Sequence, residues 1–92
     1  MLEKIELTEA QWQSVEDAGF VRLSLDEAVE VLKPYDVTLT KLAKAFGMLR
    51  GNIRTQFDRG CQLDLNPDTG EIKMVRVEKI LKEGSIENCL SD

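Results

Sequence analysis

The chain has 92 residues, 42% of them hydrophobic, a net charge of −5 and no histidine. A domain of this size buries only about 60–65% of its unfolded surface, so it is one marginally stable unit for which self-association would help. The composition excludes a membrane span, which needs roughly 18 apolar residues in a row, and removes the commonest acid–base side chain.

Thr8, followed three residues later by Gln11, has the form of a capping box and predicts a helix over 8–18. Trp12 and Val15 lie on one face of it and Gly19 closes it. Trp12 is expected as a buried anchor of the core rather than a partner site. Residues 20–24, FVRLS, form a short β-prone run. Ser24 and Glu27 make a second capping box, and LDEAVEVLK turns Leu25, Ala28, Val29 and Leu32 toward the core. Asp26 and Glu27 sit in the first turn, where the helix dipole favours carboxylates. Pro34 ends this helix, because the residue before a proline avoids the α region.

Residues 39–60, LTKLAKAFGMLRGNIRTQFDRG, have the pattern of a helix-turn-helix starting near Thr38 or Thr40. Ala43 is small enough for two helices to cross closely. Gly47 supplies the tight turn. Leu42, Phe46, Met48 and Ile53 fill the wedge between the helices. The second helix then exposes Arg50, Asn52, Arg54 and Thr55, basic and hydrogen-bonding side chains suited to base edges in a major groove. Arg50 and Arg54, four apart, share a face and suit a bidentate contact to guanine or a phosphate. Asn52 suits adenine or the turn backbone; Thr55 suits a base, a thymine methyl or plain helix surface. Thr38, Thr40, Lys41, Lys44, Arg59 and Gln62 are placed for phosphate contacts.

Residues 61–66, CQLDLN, and 71–78, EIKMVRVE, alternate around the turn Pro67-Asp68-Thr69-Gly70 and predict a β-hairpin over 61–78. The phase slips at Met74-Val75, which implies a bulge or a face that buries both residues. An isolated hairpin is unstable in water, so it must pair with the 20–24 strand, pack on the helices or pair with a second subunit; Leu63, Leu65, Ile72 and Met74 are the expected homodimer interface. Residues 79–92 read as a short helix or a tail. The whole is expected to be one α+β domain: a small helical helix-turn-helix DNA-binding unit followed by a C-terminal β-hairpin.

Charge distribution supports the same surface. Residues 38–60 carry a net +4, which leaves −9 on the rest of a chain whose total is −5. Such a body repels DNA except at one face, so binding should be steeply salt-dependent. No enzyme is expected. The serines at 14, 24, 85 and 91 lie in no nucleophile motif, the carboxylates form no metal loop, and the glycines are isolated. Two cysteines without histidine build no structural zinc site, so no metal or cofactor is expected. MLEKIELTEAQW lacks the apolar centre of a secretory leader, so a cytoplasmic setting with reduced Cys61 and Cys89 is expected. Cys61 reads as a core or interface residue.

Two resemblances attach to these residues. TKLAKAFG, then I-x-x-x-F-x-x-G at 53–60, then a strand, a turn ending in Gly70 and a strand, resemble the phage Cro repressors; VRLSLDEA is similar to the opening of that fold. In that family the hairpin carries the dimer contact, which implies the same for 61–66 and 71–78 here. LTEAQWQ at 7–13, A-V-E-V-L at 28–32 and G-M-L-R-G-N-I at 47–53 resemble the KorA/TrfB plasmid repressors. That likeness implies an operator-binding dimer in which Arg50 matches the family's arginine before glycine and Thr55 takes a reader's place. Leu49 departs from the family's threonine, so the usual helix cap is missing, and Asn52 replaces a small residue. The expectation is a sequence-specific transcriptional repressor of plasmid or phage type, a homodimer on a palindromic double-stranded operator. The alternative is a non-enzymatic adaptor or antirepressor that binds protein through the same fold. Arg50 and Arg54 discriminate the two, since only a repressor needs them.

Overall fold

The structure is a computed structural model and describes residues 2–87; Cys89 and Leu90 lie outside the described residues. The chain runs α1 (Glu9–Ala18), β1 (Val21–Leu23), α2 (Leu25–Val31), a 3-10 turn (Lys33–Tyr35), α3 (Leu39–Ala45), α4 (Arg50–Asp58), β2 (Gln62–Leu65), β3 (Glu71–Arg76) and β4 (Lys79–Ser85). The described residues form a mixed α+β domain with four α-helices and a four-stranded antiparallel sheet in the order β1-β2-β3-β4.

The helix starts follow their caps. Thr8 Oγ1 accepts from the Gln11 N–H at 3.1 Å, and Gln11 Oε1 accepts from the Thr8 N–H at 2.8 Å. Ser24 and Glu27 repeat this at 3.2 and 2.9 Å. Each box satisfies donors that the first turn leaves without an internal partner. Gly19 ends α1 at φ 84°. Pro34 acts differently from the sequence expectation. α2 already stops at Val31, and Pro34 sits inside the following 3-10 turn. There its missing N–H needs no partner.

One face of the sheet carries the core. Val21 faces Leu65 and Leu23 faces Leu63 across β1–β2, while Leu63 faces Met74 and Leu65 faces Ile72 across β2–β3. These six side chains are buried against Leu25, Ala28, Leu32, Leu42, Phe46 and Ile53 of the helical layer. The burial corrects the expected dimer interface. Leu63, Leu65, Ile72 and Met74 are each at most 1% exposed in a single chain, so the folded monomer cannot offer them to a partner. The helices already cover the face that a free-standing hairpin would have left open.

The segment after the hairpin is also corrected. Residues 79–85 are neither a short helix nor a tail but the strand β4, antiparallel to β3. A two-residue turn at Val77 and Glu78, with φ 49° and 63°, sends the chain back. The slip at Met74-Val75 appears as both expected features. Both residues are buried, and the β3–β4 register shifts between them. Met74 pairs with Lys82 and Val75 with Ile80, which leaves Leu81 as the extra residue. Trp12 is a further correction: it is 42% exposed, and α1 buries none of its residues. α1 packs beside the edge strand β1 rather than over the sheet, so only Val15 turns toward the core.

Candidate nucleic-acid interface

Thr38 caps α3, its Oγ1 accepting from the Lys41 N–H at 3.3 Å. Leu42 and Ala43 bury the inner side of that helix. Gly47, at φ 70°, makes the turn that a residue with a Cβ would resist. The Met48 N–H then donates to the Ala43 carbonyl at 2.8 Å, tying the turn to the helix before it. Leu49 opens α4 with no side-chain cap. Ile53 is fully buried and Phe57 packs on the core, which fixes the rotation of α4 about its axis.

That rotation divides the expected base-contacting residues. Asn52, Thr55, Gln56 and Arg59 follow the i, i+3, i+4, i+7 spacing of one helix face. With Gly47, Met48, Leu49 and Lys82 they line an open groove of about 560 Å³. Arg54 lies on the other flank. Its Nη1 is 3.7 Å from Asp26 Oδ1, an exposed pair at the start of α2. Arg50, one turn earlier on that flank, is exposed. Asn52 and Thr55 are therefore brought together, and the two arginines stand beside them rather than among them. The Thr55 hydroxyl donates to the Gly51 carbonyl at 3.0 Å, so its methyl and its lone pairs are what it presents.

Among the expected phosphate contacts, Thr38, Thr40 and Lys44 are exposed and Lys41 is half-buried along α3, and Arg59 stands at the far end of the groove. Gln62 is exposed at the start of β2. It pairs with Val75 one residue before the inward Leu63, and side chains alternate along a strand. It therefore stands on the sheet face that the helices do not cover.

Two groove residues escaped the sequence reading. Gln56 was legible, being one turn beyond Asn52 on the same face. Lys82 was not, because a packing contact places it. A Cβ on Gly84 would overlap the carbonyl oxygen of Ala45 and sit 3.0 Å from its carbon. β4 thus meets the end of α3 at a position where only glycine fits. Two residues earlier on the same side of the strand, Lys82 reaches the α3–α4 turn.

A second polar constellation occupies the outer sheet face. Arg22 Nε and Nη2 donate to the two Asp64 oxygens at 2.8 and 3.1 Å, and Nη1 donates to Glu78 at 3.0 Å. The Asp64 hydrogen bonds, helped by Glu78, hold Arg22 charged well above its ordinary range, against the opposing effect of burial. An outer-face hollow of about 340 Å³ runs past these groups to Phe20, Val75 and Ile80. Burial pushes the Cys61 thiol above its ordinary value, with Arg76 opposing more weakly.

Among the described residues no cluster of three or more histidine, cysteine or carboxylate side chains is placed to hold a metal ion, and no helix is long and apolar enough to cross a membrane. No family model matches this chain. No curated protein and no solved structure matches it at a significant level either. Its function is therefore argued from its own residues.

Proposed function

We propose that this protein is a sequence-specific DNA-binding transcriptional repressor of plasmid or phage type that acts as a homodimer on a palindromic operator. The observation that carries the reading is the groove-facing side of α4. Asn52, Thr55, Gln56 and Arg59 stand along one open helix face, a set of donors and acceptors suited to base edges in the major groove. Ile53 and Phe57 anchor the opposite side of α4 to the core, so the face is presented rigidly. The net +4 over 38–60, on a chain otherwise at −9, supports the same orientation toward DNA. Arg54 joins the interface by leaving Asp26. An exposed pair of this kind holds it by only about 0–1 kcal/mol.

The dimer contact belongs to the β3–β4 hairpin tip and the outer edge of β4. Val77, Ile80 and Leu81 are exposed there, Val77 to 89%. Val77 also holds a left-handed φ that a β-branched side chain disfavours. β4 is an edge of the sheet, and a second copy of the chain would cover this apolar group and dimerise the unit.

Selection of bound duplexes from a random pool, read at two salt concentrations, tests the proposal. The expected result is a palindrome with half-sites about one helical turn apart, whose binding weakens steeply with salt. The second reading, a protein-binding adaptor or antirepressor, is favoured by the acidic body and by the Asp26 carboxylate beside Arg54. Binding with no enriched sequence at either salt would refute the repressor and leave the adaptor.

A further inference from the structure

The groove beside α4 contains two residues that hydrogen-bonding chemistry does not explain. Leu49 is 74% exposed at the mouth of the turn. It occupies a cap position where serine, threonine, aspartate or asparagine would complete the helix, yet it makes no cap bond. Lys82 arrives from the far end of the sequence, carried by β4 to the same groove. Asn52 and Gln56 line the same groove. A ligand matching this surface presents an apolar spot, a hydrogen-bonding edge and an anion, all within one groove. A thymine methyl next to a base edge and a backbone phosphate offers these three features together. In the major groove the 5-methyl group is the only apolar feature a base pair displays.

We infer that Leu49 reads the 5-methyl group of a thymine in the half-site and that Lys82, on β4, pairs with a flanking phosphate, so that the last strand of the sheet is part of the DNA-binding surface. This rests on the DNA-binding reading above and adds a base identity and a second structural element to it. Asn52, three residues from Leu49, would meet the neighbouring base pair. The close approach at Gly84 holds Lys82 in register with the turn, because β4 cannot move away without opening the contact with the end of α3.

The test uses the full chain and the duplex enriched by selection, with each thymine replaced singly by deoxyuridine, which lacks only the methyl group. At one thymine of each half-site, wild-type affinity should fall about three- to fivefold, the size of one buried methyl group, and Leu49→Ala should bind both duplexes equally. Lys82→Gln should lower the slope of log K against log salt by about one. Lys79→Gln, the same charge change on β4 but outside the groove, should leave the slope unchanged. Equal responses of wild type and Leu49→Ala to every uracil would overturn the methyl contact. Equal slopes for the two lysine variants would overturn the phosphate contact. Either result, with an enriched operator in hand, leaves the repressor reading standing, whereas failure to enrich any sequence removes both.

Discussion

Replacing Gly84 with alanine should destabilise the domain by about 2 kcal/mol. The added methyl group would overlap the Ala45 carbonyl oxygen and lie 3.0 Å from its carbon. Both atoms belong to the backbone of α3, so no side chain can rotate aside and either the strand or the helix end must shift. Overpacking of this kind costs about 1–3 kcal/mol, and a backbone neighbour puts it at the upper end. Restricting the unfolded chain returns about 0.4–1 kcal/mol. Gly51→Ala is the matched control. It lies within α4, and a Cβ there meets nothing within 4 Å. It should stabilise by about 0.5–1 kcal/mol, the ordinary advantage of alanine over glycine in a helix. Urea unfolding followed by circular dichroism would show midpoints moving in opposite directions with unchanged slopes. For a domain of this size each kcal/mol moves Tm by roughly 4–8 °C. A Gly84→Ala protein as stable as the wild type would refute the close packing of β4 on α3, and with it the placement of Lys82.

Three further outcomes are expected. Arg22→Ala should cost about 1–3 kcal/mol, because Asp64 has only 7% of its side chain exposed and loses both of its charge-assisted bonds; Arg22 itself is one-third exposed, which keeps the cost below that of a fully buried pair. Arg22→Lys should recover only part, since a single ammonium cannot replace the bidentate fork, and wild-type stability in the alanine variant would show that the pair is energetically idle. Burial raises the Cys61 thiol in the folded state, so the unfolded chain releases that proton first, near the ordinary value of 9.0. The stabilisation is therefore complete below about pH 9 and is lost as pH rises through the folded value. The stability difference between wild type and Cys61→Ala should shrink over that range, and native Cys61, in a Cys89→Ser background, should alkylate slowly at pH 8; rapid alkylation there would contradict the burial. Val77→Asn should raise stability by about 1 kcal/mol, because asparagine tolerates the left-handed φ of 49°. The same change should weaken self-association measured by sedimentation, and an unaltered dimer would move the contact away from the hairpin tip.

The features legible in the sequence are those decided within a few residues. The capping boxes at Thr8–Gln11 and Ser24–Glu27 form because donor and acceptor are three positions apart. Gly19, Gly47 and Gly70 all take a positive φ at turns that the flanking residues define. The Asn66 side chain accepts from the Asp68 N–H at 3.0 Å inside the turn expected after it. Alternation along 61–66 and 71–78 marked two strands, the second of which ends at Arg76, and of the wedge residues Leu42, Phe46 and Ile53 are buried while Met48 is half-buried. The exposed polar face of α4 was legible for the same reason, since helical spacing alone groups Asn52 with Thr55.

What only the tertiary structure decided is which surface covers which. Leu63, Leu65, Ile72 and Met74 read as an interface because a hairpin seen alone has an apolar face with no cover; the helical layer supplies that cover within one chain. Trp12 read as core because of its size, but α1 lies at the sheet edge and leaves it in solvent. Strand pairing places Arg22 directly opposite Asp64. Lys82 joined the α4 groove through a contact spanning from Ala45 to Gly84. Helix caps and turn hydrogen bonds act over one turn of chain and leave their mark in local spacing. Burial and charge pairing depend on neighbours brought in from 40 residues away, as Arg22 and Asp64 are separated by 42, and no local pattern encodes that partner.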